Sequence, residues 1–395
     1  MKTSGYLWIS KRRLQVGDAV LLAIVVVLTT LTPPSASAQT FTTVYSFKGV
    51  PDGVVPNSGL IVDDQGTLYG TTFLGGSSTA CVGGCGTAFV IDAAGNETVL
   101  HSFDLTGGRA PESGLARDAQ GNLYGTTDEG GAGWGLVYRL DASGNETVLH
   151  SFTNSPDGAY PGNASVLLDT AGNLYGATQY GGANGNGMLF KLTPAGKVVG
   201  LYAFPVRDGN SRSGVVRDAA GNLYGTTGNG GVHAFGEVYK VDTTGKKTVL
   251  HSFQGGADGE YPAAGVVRDA AGNLYGTTEG HFNGNYGTVF RISASGNETV
   301  LHAFTNGPDG ANPFASVVRD AAGNVYGTTT AGGAFGYGTI FKIDNHRNFT
   351  VLYSFTGGAD GRFAVGMTLD AAGNLYGTTF YGGAFHAGTV FKLVP

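Results

Sequence analysis

The chain has 395 residues, of which 41% are hydrophobic and 13% are charged, and its formal net charge is −6. This composition excludes an intrinsically disordered chain, which would carry fewer aromatic residues and more charge. Its 69 glycines do not recur at every third position, which excludes collagen. No basic block or stripe is present, which argues against nucleic acid as a partner.

Residues 1–38 differ in kind from the rest of the chain. Lys11, Arg12 and Arg13 precede an apolar run at 19–31, and the small residues "ASA" follow at 36–38. This pattern is typical of a secretory signal peptide cleaved after Ala38, and the alternative is an uncleaved N-terminal anchor. We therefore predict a mature chain of residues 39–395 that is secreted to the extracellular space or the periplasm and has no membrane contact after cleavage.

The predicted mature chain begins with a strand, "FTTVYSF" at 41–47, and a cysteine pair follows it. Cys81 and Cys85 are the two cysteines of the sequence, and they lie in the glycine-rich stretch "CVGGC". An even number of cysteines in an exported chain favours a disulfide bond. Two thiolates are too few for a structural zinc site, so we predict a disulfide and no metal site.

From residue 66 onward one heptapeptide dominates the chain. "GNLYGTT" stands at 121–127, 221–227, 272–278 and 373–379, and altered copies stand at 66–72, 172–178 and 323–329. Successive copies are about 50 residues apart, and such a period indicates an array of one structural unit. The tyrosines in this register are Tyr69, Tyr124, Tyr175, Tyr224, Tyr275, Tyr326 and Tyr376.

Each unit predicts four short strands, called a to d. The unit at 214–253 contains the runs "GVVRD", "NLYGTT", "GEVYKVD" and "KTVLHSF", separated by Asp-Gly turn signals. Seven such units arranged radially form an all-β, seven-bladed β-propeller of four-stranded antiparallel blades. We expect the motif tyrosine to fill space between sheets, and the next glycine to admit a neighbouring backbone.

The two ends of the chain predict how the propeller closes. The chain finishes with "GTVFKLVP", a strand c, and 41–47 resembles strand d of the other units, such as "ETVLHSF" at 97–103. We therefore predict that the N-terminal strand 41–47 completes the last blade.

These repeats also carry a family resemblance over essentially all of 41–395. The succession G-N-L-Y-G-T-T, G-G and G-T-V-F-K-L resembles the bacterial GloVer (Gloeobacter/Verrucomicrobium-type) tandem repeat. The resemblance implies a propeller-type repeat and export, and it implies no particular activity.

Residues that recur in every blade are expected to be structural. His101, His150, His251 and His302 share one register of strand d with tyrosines of other blades, so we interpret them as packed rings with one hydrogen bond. Aspartates followed by glycine recur in the d–a connections, where turn formation explains them. These are Asp52, Asp157, Asp208, Asp258, Asp309 and Asp360.

Function is expected where the blades differ, on the face that carries the b–c and d–a connections, here called the variable face. Variable loops on a rigid scaffold are common binding sites. Candidate ligand-binding aromatics in the b–c loops are Trp134, Phe282, Tyr286, Tyr337 and Phe385. Exposed rings of this kind stack on sugars or grip peptides.

The same loops hold His233, His281, His386 and Glu279, which are candidates for an acid–base or metal-assisted site. The sequence thus predicts a monomeric binding module without a cofactor, whose partner is a glycan, peptide or protein. The alternative is a propeller enzyme, a lyase or hydrolase, that uses these four residues.

Overall fold

The computed structural model describes residues 39–162, 165–211, 213–280 and 284–395. The described residues form seven four-stranded antiparallel sheets and one two-stranded ribbon. Short 3-10 turns at Val206–Asp208 and Gly256–Asp258 lie in two d–a connections.

The strands up to residue 203 comprise one strand of blade 7, the two ribbon strands and the strands of blades 1 to 3. In chain order they are β1 (Thr40–Ser46), β2 (Gly53–Val54), β3 (Ile61–Val62), β4 (Leu68–Thr72), β5 (Leu74–Gly75), β6 (Thr87–Ile91), β7 (Glu97–Ser102), β8 (Ala116–Arg117), β9 (Leu123–Thr127), β10 (Leu136–Leu140), β11 (Glu146–Ser151), β12 (Leu167–Leu168), β13 (Leu174–Thr178), β14 (Met188–Leu192) and β15 (Val198–Ala203). Of these, β1 belongs to blade 7, and β2 and β5 form the ribbon.

The remaining strands build blades 4 to 7. They are β16 (Val216–Arg217), β17 (Leu223–Thr227), β18 (Glu237–Val241), β19 (Lys247–Ser252), β20 (Val267–Arg268), β21 (Leu274–Thr278), β22 (Thr288–Ile292), β23 (Glu298–Ala303), β24 (Val318–Arg319), β25 (Val325–Thr328), β26 (Thr339–Ile343), β27 (Phe349–Ser354), β28 (Arg362–Leu369), β29 (Leu375–Tyr381) and β30 (Thr389–Val394).

The N-terminal strand closes the ring, as the sequence predicts. The sheet of blade 7 has the order β1-β30-β29-β28, with β1 antiparallel to β30 from Thr40 opposite Val394 to Ser46 opposite Thr389. The amide of Phe47 also donates to the carbonyl of Gly388 at 3.0 Å. The two chain ends therefore share one blade, which leaves no unpaired strand edge at the junction.

The repeated heptapeptide is explained by the turn between strands a and b. In blade 2 the Asp118 carboxylate accepts hydrogen bonds from the Asn122 amide N–H at 2.8 Å and the Tyr124 hydroxyl at 2.9 Å. Burial acts to raise the pKa of Asp118, but hydrogen bonds, chiefly from Asn122, outweigh it and lower the pKa. The same Asp–Tyr hydrogen bond recurs in all seven blades.

The motif glycine has a different neighbour from the one expected. A Cβ added to Gly276 would lie 2.6 Å from the ring of Phe290 on strand c of the same blade. The close approach at Gly276 is therefore by an aromatic ring, whereas at Gly377 in blade 7 both the Phe391 ring and the Gly366 carbonyl oxygen are close, at 2.5 and 2.8 Å from the added Cβ. An alanine in place of Gly276 would overlap a ring that is fully buried.

The core lies between neighbouring blades. Strand d ends in every blade with a phenylalanine that is at most 5% exposed, and it packs edge-on against an aromatic ring of strand c in several blades. These residues are Phe47, Phe103, Phe152, Phe204, Phe253, Phe304 and Phe355. Each blade therefore buries its faces only against its neighbours, which is why the fold needs the complete ring.

Candidate functional site

Six of the seven strand-d histidines and tyrosines are paired with the d–a aspartates. The exception is His101, whose ring nitrogens lie 3.2 Å from the Gly144 carbonyl and 3.5 Å from Glu146 Oε2. Nε2 of His150 lies 2.8 Å from Asp157 Oδ2, and the Tyr353 hydroxyl donates to Asp360 Oδ2 at 3.0 Å. Asp157 also accepts from the backbone amide of Thr153 at 3.0 Å. Each pair thus holds the start of a d–a connection against its own strand, which is the structural role predicted for both sets.

A cavity of about 580 Å³ opens where the seven blades meet, and residues of every blade line it. The wall includes Asn229 and Glu279, which follow the b strands of blades 4 and 5, so the cavity belongs to the variable face. This is the size range of a small-molecule site.

The wall of the cavity is built from small residues that precede strand a. They are Gly59, Gly114, Ser165, Gly214, Gly265, Ser316 and Gly366. Neighbouring members touch: the Gly114 amide donates to Ser165 Oγ at 3.0 Å, and Ser316 Oγ donates to the Gly265 carbonyl at 3.1 Å. A Cβ on Gly366 would lie 2.5 Å from the Gly59 nitrogen, so larger residues would close this ring.

The residue two positions before each of these small residues differs from blade to blade. The position holds Asn57, Glu112, Ala263, Phe314 and Ala364 in the described blades, and its equivalents at 163 and 212 lie outside the described residues. Asn57, Glu112 and Phe314 line the cavity. Small residues therefore form the wall, and Asn57, Glu112 and Phe314 add an amide, a carboxyl and an aromatic ring to it.

Glu112 in the cavity wall lies near two further carboxylates, Asp128 and Glu129, which line a smaller neighbouring cavity. Burial raises the pKa of Glu112 to about 7, and repulsion from Asp128 and Glu129 adds to the effect. Burial and Glu129 raise the pKa of Asp128 to about 6. Glu129 is paired with Arg109, whose Nε donates to Glu129 Oε2 at 2.9 Å. Glu112 is thus a carboxyl that titrates near neutral pH at a solvent-accessible cavity.

The histidines predicted as acid–base candidates do not join this cavity. Glu279 lines it, whereas His233 and His386 are exposed and are absent from its wall. Within the described residues these three side chains do not form a cluster with metal-ligand spacing. His281 lies outside the described residues.

The predicted ligand-binding aromatics are divided between core and surface. Trp134 is half-buried and packs edge-on against Tyr160, with ring centroids 5.6 Å apart, and Tyr286 is half-buried against the blade 5–6 core. Tyr337 and Phe385 are exposed. Phe282 lies outside the described residues.

The exposed aromatic rings concentrate on blades 6 and 7. Six of the seven exposed aromatic rings of the described residues lie there, each 38–59% exposed, and the seventh is Tyr180 of blade 3. The six are here called the aromatic platform: Phe314, Phe335, Tyr337, Phe363, Tyr381 and Phe385. Phe363 packs edge-on against Tyr381, with ring centroids 6.0 Å apart. Phe314 belongs both to this platform and to the cavity wall. The platform therefore borders the cavity.

Sequence reasoning missed Glu112, Phe314 and the small residues at the axis. A signal for them was present, because the triplets "SGL" at 58–60, "SGV" at 213–215 and "AGV" at 264–266 recur in one register. These triplets precede strand a and so lie outside the strand-b heptapeptide that defines the repeat.

Cys81 and Cys85 form a disulfide bond in the b–c loop of blade 1, with Cα atoms 5.2 Å apart. Cys85 is buried, and the bond lies beside a second, smaller cavity of about 140 Å³ that Glu112 also lines. Among the helices of the described residues, none has the length and apolar character to cross a membrane.

Comparison with protein families gives a match over most of the chain. Residues 73–285 and 245–395 match the model described as the Gloeobacter/Verrucomicrobia repeat, which confirms the resemblance seen in the sequence. No curated protein matches the chain.

Solved structures similar to this chain are β-propellers of low sequence identity. An extracellular domain of a hybrid two-component system from B. thetaiotaomicron aligns with a TM-score of 0.59 at 13% identity, covering 89% of this chain and 39% of that one. An extracellular domain described as part of a one-component system from the same organism aligns with a TM-score of 0.56 at 16% identity, covering 90% and 41%. The chain thus spans about two-fifths of these proteins.

A gluconolactonase from Xanthomonas campestris aligns more loosely, with a TM-score of 0.45 at 14% identity over 90% of both chains. At these sequence identities the alignments with the two extracellular domains show a shared fold alone. The alignment with the gluconolactonase supports no statement about the activity of this chain.

Proposed function

Since the chain belongs to the Gloeobacter/Verrucomicrobia repeat family and builds a propeller with an axial cavity, we propose that it is an exported binding module that takes a glycan on its variable face. The observation that carries the proposal is the junction of an aromatic platform with a cavity rich in hydroxyl, amide and carboxyl groups. Sugars need both features, because their ring faces stack on aromatic rings and their hydroxyls form hydrogen bonds.

The cavity supplies the polar half of the proposed site. Asn57, Asn229 and Ser58 offer amide and hydroxyl groups, and Glu112 and Glu279 offer carboxyl oxygens. Glu112 both donates and accepts near neutral pH, because its raised pKa keeps part of the population protonated. Paired donors and acceptors of this kind suit hydroxyl groups better than they suit an anion.

The platform supplies the stacking half. Phe314 stands at the cavity, and Phe335, Tyr337 and Phe385 extend the exposed aromatic surface across the loops of blades 6 and 7. A chain of sugars that follows this surface would place one unit in the cavity. Export is supported by the predicted signal peptide at 1–38, which lies outside the described residues.

The proposal is tested by a thermal-shift screen of residues 39–395 with oligosaccharides, and with peptides as a competing class. A ligand that binds only the folded protein stabilises it by roughly 2.7 kcal/mol at a hundredfold excess over Kd. The variants F314A and E112Q should weaken glycan binding, and V206A, a change of an exposed residue that belongs neither to the cavity wall nor to the platform, should leave it unaltered. Binding of peptides alone, or equal binding by all three variants, would contradict the proposal.

One observation favours an enzyme as the second candidate. A carboxyl whose pKa lies near 7, as that of Glu112 does, has the property of a general acid. If the protein acts on its glycan, mass spectrometry of the incubated ligand should show a product that E112Q no longer forms.

A further inference from the structure

The outer strand of each blade repeats one contact around the circumference of the propeller. A histidine or tyrosine of this strand faces a residue at the start of strand d in the next blade. His302 stacks on Phe349 with ring centroids 3.7 Å apart, and Tyr353 stacks on Phe41 at 3.9 Å. The residue four positions before that histidine or tyrosine is here called the rim residue; it is the first residue of strand d in blades 1 to 6 and the second residue of β1 in blade 7. The rim residues are Phe41, Glu97, Glu146, Val198, Lys247, Glu298 and Phe349.

At the interface of blades 3 and 4 the rim residue is a cation that joins two carboxylates. Nζ of Lys247 lies 2.9 Å from Asp208 Oδ2 and also contacts Oε1 of Glu237. The Lys247 side chain is 6% exposed and that of Glu237 is 2% exposed. This position in the fold therefore accommodates a nearly buried positive charge between blades.

At the interface of blades 4 and 5 the rim residue is Glu298, which adds negative charge to the site. Nε2 of His251 lies 3.0 Å from Asp258 Oδ1, and ligand atoms of His251, Asp258 and Glu298 all lie within 4.8 Å of one another. Oε1 of Glu298 is buried and accepts no hydrogen bond.

Among the described residues, no lysine takes the place here that Lys247 has one blade earlier. No lysine or arginine of the described residues forms an ion pair with Asp258 or Glu298. Within the described residues these three are also the single group of three or more His, Cys, Asp or Glu side chains with metal-ligand spacing.

We propose that His251, Asp258 and Glu298 bind a divalent transition-metal ion, of which Zn²⁺ is the best match, and that the ion links blades 4 and 5. One imidazole nitrogen and two carboxylate oxygens suit zinc, and a water would complete four ligands. Ligand atoms of a tetrahedral zinc site lie about 3.3 Å apart. Side-chain rotations that shorten the distances between the ligand atoms by up to about 1.5 Å complete this geometry. Calcium would need six to eight oxygens. The proposal departs from the sequence-based expectation of no metal.

The test uses the mature chain without an affinity tag, freed of metal by a chelator. We expect one Zn²⁺ per chain in a calorimetric titration, and visible absorption bands when Co²⁺ is the probe. E298V and H251Y should each weaken Zn²⁺ binding by about tenfold or more. Both changes copy residues that the chain itself carries in the same register, Val198 and Tyr202, so they are compatible with the fold.

The matched control is E97V. Glu97 is also a rim glutamate with a buried, unpartnered Oε1, but its neighbour is the Tyr45 hydroxyl, 3.5 Å away, and not a histidine. E97V should bind Zn²⁺ as the wild type does. Failure of the wild type to bind Zn²⁺, or equal binding by E298V and H251Y, would overturn the proposal.

Discussion

Truncation of Phe47 measures how firmly the N-terminal strand closes the ring. Phe47 is fully buried, and its ring meets those of Phe89 and Tyr45 edge-on, with centroids 5.1 and 5.3 Å away. Replacing a buried phenylalanine by alanine costs about 3–5 kcal/mol. With an unfolding entropy of about 2 cal/mol/K per residue, F47A should lower Tm by roughly 4–7 °C.

A matched variant in the middle of the chain makes the measurement decisive. Phe204 occupies the same register of strand d in blade 3, is equally buried, and has edge contacts with Tyr202 and Tyr239 at 5.1 and 5.4 Å. Scanning calorimetry should give F47A and F204A similar losses, since a closed ring makes the two positions equivalent. A loss for F204A with almost none for F47A would show that the terminal strand detaches before the rest unfolds, and the closure argument would fail.

Three further predictions concern charge and covalent links. K247A leaves the buried carboxylate of Glu237 without its cation and should cost about 3–5 kcal/mol in urea unfolding, because the charge loses its partner in a dry site. The pKa of Glu112 is about 7 in the folded chain, against an ordinary value of 4.5, so the folded state binds a proton that the unfolded state has lost. The free energy of unfolding should therefore fall as the pH rises from about 5 to about 7. In Tm measurements across this range, E112Q should show a smaller fall than the wild type. Reducing Cys81–Cys85 should lower stability by only about 2 kcal/mol, because the loop is short, and a reductant that unfolds the protein would contradict this.

The sequence by itself determined the propeller fold, because its repeat period, its strand pattern and its turn residues all indicate the same structure. Seven copies of one heptapeptide set the number of blades, and each copy carries a Tyr that hydrogen-bonds to an Asp three residues before the copy, as Tyr124 does to Asp118. The resemblance of 41–47 to strand d predicted the closing blade. These features are local or repeat at a fixed period, so they can be recognised in the sequence without knowing which distant residues are in contact.

The tertiary structure alone decided which residues share a site. Glu112, Glu279 and Phe314 belong to three different blades, and only the closed ring brings them to one cavity. Candidate loops were predicted, but exposure depends on packing against the next blade, which half-buries Trp134 and leaves Phe385 exposed. The physical reason is that a propeller builds its axis and its rim from contacts between blades, and the spacing within a repeat does not contain those contacts.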